Sequence, residues 1–211
     1  MAALSASDLP QVLQCFQGAI SQDAGVRRPC EDALASLENR PGFCSCLTEI
    51  VASKDISQEV RWLAAVYFKN SINKYWRPRR EALSMGEDEK SHLRSKVLEL
   101  VGEESNQIAI QVALIVAKIG RYDYPNEWPQ LFSGLLGQLA GGSDLLVRRV
   151  YLVLHHVLKE LSTKRLVADQ KNFAQIAAQL YEPLWARWCQ DTQLMLSTLS
   201  GLIQAGPAAV A

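Results

Sequence analysis

The stretch VRWLAAVYFKNSINKYW, residues 60–76, decides the fold of this chain. Its apolar residues recur at spacings of three, four and seven, which place them on one side of an α-helix. The predicted buried face consists of Val60, Leu63, Ala64, Tyr67, Phe68 and Tyr75. The opposite face carries Trp62, Lys69, Asn73 and Trp76, with Asn70 and Lys74 at its edge. An exposed face with aromatic and cationic side chains is typical of a surface that binds a protein partner.

Helical spacing continues on both sides of this stretch, whereas the period-2 alternation typical of strands is nearly absent. The predicted helix pairs cover about residues 7–21 with 24–39, 42–53 with 60–76, 84–101 with 108–120, and 129–139 with 143–161, followed by a helix at 168–190. Equivalent helices recur about every 40 residues, as in HEAT repeats. The sequence therefore predicts an all-α fold: an α-solenoid of HEAT-type antiparallel helix pairs in a right-handed superhelical stack.

Two short motifs predict where helices begin. Asp55 with Gln58, and Ser84 with Glu87, have the spacing of a capping box. In that motif the two side chains satisfy each other's backbone N–H groups at a helix start. We therefore expect helices to begin near residues 55 and 84.

The composition is that of an ordinary folded protein, with 48% apolar and 21% charged residues among 211. Lys plus Arg and Asp plus Glu both total 22, so net charge gives no reason to expect direct nucleic-acid binding or membrane insertion. Five cysteines at irregular spacing indicate free thiols in a reducing compartment. The chain is therefore predicted to be intracellular.

No set of residues has the pattern of a catalytic or metal site. Cys44 and Cys46 are two positions apart on a helix, so their side chains diverge, and no second Cys or His pair accompanies them. His155 and His156 lack an accompanying Glu-x-x-His arrangement. We predict no enzymatic activity, no cofactor and no metal.

Two ordered motifs resemble the amino-terminal domain of the importin-β (karyopherin-β) family of nuclear transport receptors. The first combines an acidic, Leu-rich helix at 31–37, PGF at 41–43 and the pattern VR..AA...KN.I...W at 60–76. The second is the corner DYPNEWP at 123–129. The resemblance covers about residues 8–190, and LSTKRLVADQKNF at 161–173 resembles the importin-11 type.

This resemblance implies a protein that binds the GTP form of the small GTPase Ran on a concave surface of inner helices. The family's Lys-Asn pair falls on Lys69 and Asn70, and we predict these residues, with Asn73 and Lys74, as the Ran-binding site. The resemblance also implies cargo proteins and Phe-Gly nucleoporins as partners. It implies a role in protein import and shuttling between cytoplasm and nucleus through the nuclear pore.

Other interpretations of the same residues stay open at this point. An exportin-type receptor would share the motifs, whereas a generic HEAT scaffold would share only the periodicity. Lys69 and Lys74 as ordinary solvated residues, and Asn70 paired with an adjacent repeat, are the alternatives to a binding site. Trp62 and Trp76 either contact a partner or pack on a neighbouring repeat.

Two further residues are predicted to be structural. Trp128 is expected to fill the junction between two repeats. Arg61 is expected to bond a carboxylate or a carbonyl of the adjoining repeat.

The predicted organisation is a HEAT-repeat region over residues 1–190, including an importin-β amino-terminal domain at about 30–102. Residues 191–211 are expected to start a further, truncated repeat with a disordered tail, because IQAGPAAVA at 203–211 has no amphipathic stripe or polar cap. The chain thus resembles the amino-terminal part of a longer receptor. The cluster Arg77-Pro78-Arg79-Arg80 is either a nuclear-localisation or acidic-partner contact, or a solvated loop that complements the helix dipole.

Overall fold

The computed structural model describes residues 3–77 and 85–205, and every regular element in them is helical. The helices are α1 Leu9–Ala19, α2 Ala24–Leu37, α3 Phe43–Ala52, α4 Gln58–Tyr75, α5 Glu87–Glu99, α6 Asn106–Asp123, α7 Leu131–Gly141, α8 Asp144–Ser162 and α9 Val167–Ala205. Short 3-10 turns occupy Ala6–Asp8 and Leu100–Gly102. The predicted all-α class is confirmed.

Helices α1–α8 form one compact unit that ends at Thr163. Consecutive helices pack as pairs: α1 with α2, α3 with α4, α5 with α6, and α7 with α8. The second helices also pack in series, α4 on α6 and α6 on α8, while α3 contacts both α1 and α5. Because each pair reverses the chain direction, the second helices α4, α6 and α8 run the same way and form one row. This is the arrangement predicted for HEAT repeats.

Helix α4 lies at the centre of this unit, and its buried face is wider than the sequence predicts. Val60, Ala64 and Phe68 are buried as expected, but Leu63 is only half-buried. The additional buried residues are Arg61, Ala65, Ser71, Ile72 and Trp76. The cause is that α4 packs on α3 and on α6 at once, so two sides of the helix are covered. The placement of Trp76 on the solvent face is wrong.

Trp76 is completely buried and holds the second pair to the third. Its indole Nε1 donates to Asp123 Oδ1 at 3.0 Å, and Arg94 Nε donates to Asp123 Oδ2 at 2.9 Å. The Arg94 guanidinium carbon lies 5.7 Å from the centre of the indole ring. Asp123 is 3% exposed, so its charge is compensated inside the protein rather than by water. We call Trp76, Arg94 and Asp123 the tryptophan cluster.

A second buried cluster surrounds Glu103 at the other end of α4. Arg61 donates to the Val51 carbonyl and to the Glu103 carboxylate, and Lys54 Nζ lies 2.9 Å from Glu103 Oε2. Arg149 of α8 donates from Nε to the Glu103 carbonyl at 2.8 Å. The predicted structural role of Arg61 is confirmed.

Burial and hydrogen bonding act on the pKa of Glu103 in opposite directions. Burial raises it, but hydrogen bonds from Lys54, the Ser105 amide and Arg61 together outweigh burial and lower the pKa below its ordinary value. The charged carboxylate is therefore the form that stabilises the fold.

The observed helix ends differ from the predictions at three places. Ser57, not Asp55, precedes α4, and it makes no side-chain capping bond. Gly86 precedes α5, whereas Ser84 lies outside the described residues. Helix α6 continues past Gly120 to Asp123, because Gly120 serves close packing there: a Cβ at that position would lie 2.9 Å from Leu131 Cδ2.

The second compact unit begins at Lys164 and contains α9. The sequence predicts a helix ending near residue 190 and a separate apolar segment after it, but α9 runs unbroken over 39 residues. Lys164 Nζ lies 2.7 Å from Asp169 Oδ1 near its start. Tyr181, Trp185 and Trp188 form an exposed stack, with 5.0 Å between the two tryptophan rings. Residues 206–211, the predicted tail, lie outside the described residues.

The burial difference between two tryptophans of the α4 segment gives a direct test of the fold. Trp76→Ala should lower the free energy of unfolding by about 3–5 kcal/mol, because it empties a fully buried site. Trp62→Ala, which removes a side chain that is 40% exposed, should cost about 1 kcal/mol or less. Urea denaturation followed by circular dichroism measures both. Equal losses would contradict the assigned rotation of α4.

Glu103 gives a second test, through its dependence on pH. Glu103→Ala should cost about 3–5 kcal/mol at pH 7, because it leaves Arg61 buried without its carboxylate. Because the pKa of Glu103 is lowered in the folded state, its carboxylate stabilises the fold above the unfolded-state pKa of about 4.3. This stabilisation is lost as the pH falls through the folded-state pKa. The difference between wild type and variant should therefore shrink as the pH falls below about 4.3.

The matched control is Glu99→Ala on α5, which removes an exposed carboxylate paired with Lys96. Its cost should be about 1 kcal/mol or less. A Glu103 variant as stable as this control at neutral pH would show that the Glu103 cluster does not hold the pairs together.

Candidate functional site

The candidate site is the outer face of α4, which the packing of α3 and α6 leaves uncovered. Lys69 and Asn73 follow Trp62 by seven and eleven residues, which is close to two and three helical turns. The three side chains therefore lie in one line along the helix. Trp62 is 40% exposed, Asn73 is exposed and Lys69 is half-buried. We call these three residues the α4 stripe. Its chemistry is an aromatic ring, a cation and an amide on a rigid element.

The four predicted site residues do not share one environment. Asn70 and Lys74 are exposed, but Lys74 points about a third of a turn away from Trp62, toward α2. Lys74 Nζ lies 2.8 Å from both carboxylate oxygens of Glu38, at the end of α2. The hydrogen bond to Glu38 is the main reason that the pKa of Lys74 is raised. Lys74 therefore already has an anionic partner, whereas Lys69 forms no ion pair with a described residue.

Trp62 also forms one wall of a groove between α4 and α6. The other lining residues are Gln107, Ile110 and Gln111 of α6, and the groove has a volume of about 400 Å³. Gln111 Oε1 is buried and receives no hydrogen bond from any described residue. No sequence pattern singles out these three α6 residues, because only the packing of α6 on α4 brings them beside Trp62.

The remaining sequence candidates are structural or fall partly outside the described residues. Trp128 is 4% exposed, which agrees with its predicted structural role. Arg77 Nη2 lies 3.9 Å from Asp123 Oδ1, next to the tryptophan cluster, while residues 78–80 of the basic cluster are not described. Arg77 thus has a partner within the fold.

The cysteines and histidines have the environments of structural residues. Cys44 and Cys46 are buried, and burial raises the pKa of both thiols. Burial, with a smaller contribution from His155, lowers the pKa of His156. Among residues 3–77 and 85–205, no three His, Cys, Asp or Glu side chains are placed to hold a metal ion.

In the part of the chain that the structure describes, no helix combines the length and the apolar character needed to cross a membrane.

Comparison with known proteins identifies the family. Residues 30–103 match the Importin-beta N-terminal domain. Importin-11 of Mus musculus and of Homo sapiens are each 39% identical to this chain over 90% of its length. The chain spans 19% of the length of these relatives.

Solved structures of transport receptors share the fold. A structure of Lph2, a bidirectional nuclear transport receptor of S. cerevisiae, is 29% identical and has a TM-score of 0.74 over 85% of this chain and 18% of its own. The cargo-free exportin Cse1 is 19% identical, with a TM-score of 0.77 over 90% of this chain and 20% of its own.

A structure of Kap95p, which binds RanGDP, is 19% identical with a TM-score of 0.60 over 74% of this chain and 19% of its own. These neighbours confirm the HEAT-type solenoid. The chain belongs to the importin-β family of nuclear transport receptors.

Proposed function

We propose that this chain is the Ran-binding part of a receptor that imports proteins into the nucleus. The observation that carries the proposal is the 39% identity to Importin-11, which extends over 90% of the chain. The structure of Kap95p with Ran supports Ran as the partner, since it has the same fold over 74% of this chain. The receptor would shuttle between cytoplasm and nucleus.

The chemistry of α4 supports a polar, acidic protein surface as the partner. Lys69 supplies a point charge on a flexible stem, and Asn73 supplies a donor and an acceptor. Asn70 adds a second exposed amide one position from Lys69. Lys74 contributes less, because Glu38 already compensates its charge. Within the predicted site, Lys69 is therefore the lysine whose charge is available to a partner, since it forms no ion pair with a described residue.

The mechanism would be a coupling between two binding equilibria. In an importer, GTP-loaded Ran weakens the binding of cargo elsewhere on the solenoid, and cargo weakens Ran binding by the same factor. Cargo proteins and Phe-Gly nucleoporins are the further partners of this proposal, with no cofactor. In an exporter, GTP-loaded Ran and cargo would instead strengthen each other's binding. The fold shared with the exportin Cse1 is equally compatible with this coupling.

The first test is binding of this chain to Ran loaded with a non-hydrolysable GTP analogue and, in parallel, with GDP. We expect tighter binding of the GTP form, because the resemblance to the importin-β family implies a surface that binds GTP-loaded Ran. Isothermal titration calorimetry measures both affinities. Equal affinities for the two nucleotide states would contradict the proposal and favour a general HEAT scaffold.

The second test is charge reversal at the predicted site. Lys69→Glu should weaken binding of GTP-loaded Ran by about tenfold or more, since it places a like charge against an acidic surface. Lys74→Glu should weaken binding less, because Lys74 is already paired. Circular dichroism should show unchanged helix content for both variants.

A matched control is Lys96→Glu on α5, where the lysine is paired with Glu99 and lies on a first helix of its pair. It changes the net charge by the same amount as Lys69→Glu and should leave the affinity within about twofold. An equal loss in the control would mean that net charge, and not the outer face of α4, determines binding.

A further inference from the structure

The later part of α9 has little to pack against within the described chain. Ile176 and Leu180 are buried, but from residue 181 to residue 204 every side chain is half-buried or exposed. A helix in water draws most of its stability from the packing of an apolar face. The helix nevertheless continues to Ala205. The packing that stabilises it after Leu180 therefore has to come from a partner.

The side chains of this part form a stripe with a seven-residue period. Successive positions are four and three residues apart in alternation, which is the a/d pattern of a coiled coil. We call this set the α9 stripe, and its members are Tyr181, Trp185, Trp188, Thr192, Met195, Leu199 and Leu202. A strict seven-residue period favours a second helix as the partner, because two helices that wind around each other keep such a stripe in contact along its length.

The exposed area of the α9 stripe agrees with the area that a stable dimer buries. Its six apolar members are each between 47% and 60% exposed, and Leu196 and Ile203 on its border are 54% and 80% exposed. Since an aromatic side chain presents about 150–250 Å², these eight residues expose on the order of 900 Å² per chain. Stable interfaces bury about 800 Å² per partner, and apolar patches of this size are uncommon on monomers.

The charges near the stripe permit two identical copies to meet. Residues 192–205 contain no charged side chain. Arg187 and Asp191 are paired on the same helix, with 2.8 Å between Arg187 Nε and Asp191 Oδ1. Glu182 is the remaining charged residue in this part of α9. A second copy thus meets no row of like charges, and a strongly charged partner would find no complementary row.

The order of side chains along the stripe favours one direction of pairing. The stripe is aromatic at its start and aliphatic at its end. In a parallel pair, each tryptophan would meet its own copy, so two large rings would share one layer. An antiparallel pair has a register in which Trp188 faces Leu199 of the second copy. In the same register, Trp185 faces Leu202. Large side chains then lie opposite smaller ones, as close packing requires.

We propose that the α9 stripe binds a second copy of this chain, as an antiparallel pair of α9 helices. The interface is apolar and isologous, so each contact between Trp188 and Leu199 occurs twice. It concerns α9 alone, whereas the predicted Ran-binding residues belong to α4. The inference is therefore independent of the proposed function.

The first experiment measures the mass of the complete chain in solution. Sedimentation equilibrium from about 1 to 100 µM should show a transition to twice the mass of one chain. Circular dichroism over the same range should show helix content that rises with concentration, because association stabilises the helical state of α9.

The second experiment places charges in the stripe. Trp188→Glu and Leu199→Lys should each weaken dimerisation by about 30-fold or more, because each puts an uncompensated charge into an apolar layer twice per dimer. The matched controls are Gln190→Glu and Gln193→Lys, at exposed positions of α9 outside the stripe. They introduce the same charges and should change the dimerisation constant by about twofold or less.

Mixing the two stripe variants tests the direction of pairing. In an antiparallel pair, the carboxylate introduced at position 188 of one chain faces the ammonium introduced at position 199 of the other. The second layer of the same kind keeps its native side chains. The mixture should therefore associate about tenfold or more tightly than either variant alone. A parallel pair would bring neither charge opposite the other and would show no recovery.

Each contrary result would overturn the inference in its own way. A wild-type chain that stays monomeric at about 100 µM would show that the α9 stripe does not bind a second copy. A dimer that both stripe variants leave intact would place the association on another surface. Loss of the dimer in each variant without recovery on mixing would contradict the antiparallel pairing.

Discussion

The structure of the amino-terminal pairs depends on the buried carboxylate of Asp123. It accepts hydrogen bonds from the indole of Trp76 at the end of α4 and from Arg94 of α5, while lying at the end of α6 itself. A buried charge is costly unless it is compensated, so these three groups must meet in one arrangement. That requirement fixes the rotation of α4 about its axis. Once α4 is fixed, its uncovered side is fixed too.

The two buried clusters act at opposite ends of α4 and have different consequences. Arg61 and Glu103 join α3, α4 and the start of α6, and Arg149 extends the connection to α8. Between the clusters, packing is mainly apolar, with Ser71 as a buried polar side chain, and covers the sides of α4 that face α3 and α6. The α4 stripe is the part of the helix that these contacts leave uncovered, and it therefore lies on a helix that polar, specific contacts hold at both ends.

Much of this fold follows from the sequence, because helix spacing is a local property. The helices, their pairing and the structural role of Arg61 are all predicted from patterns within a few turns. The face of α4 is not, since Trp76 meets Asp123 across 47 residues and no local pattern contains that contact. The pairing of Lys74 with Glu38 spans 36 residues and is invisible for the same reason. Periodicity predicts that a helix has a buried side, and distant partners determine which side it is.

The candidate site shows the same division between local and distant information. Lys69, Asn70, Asn73 and Lys74 are predicted from a motif on one helix, but their different surroundings come from α2 and α6. Gln107, Ile110 and Gln111 carry no signal of their own, because amides and aliphatic residues at helical spacing are common in any repeat. Only the packing of α6 on α4 makes them part of a surface with Trp62.

The central claim is that the uncovered side of α4, together with the adjoining side of α6, is the surface that meets the partner. Hydrogen–deuterium exchange of the chain, with and without GTP-loaded Ran, tests it most directly. The account predicts slower exchange in peptides covering residues 62–73 and 107–111, and unchanged exchange in α5. Protection confined to α3 and α5, with none in α4, would contradict it.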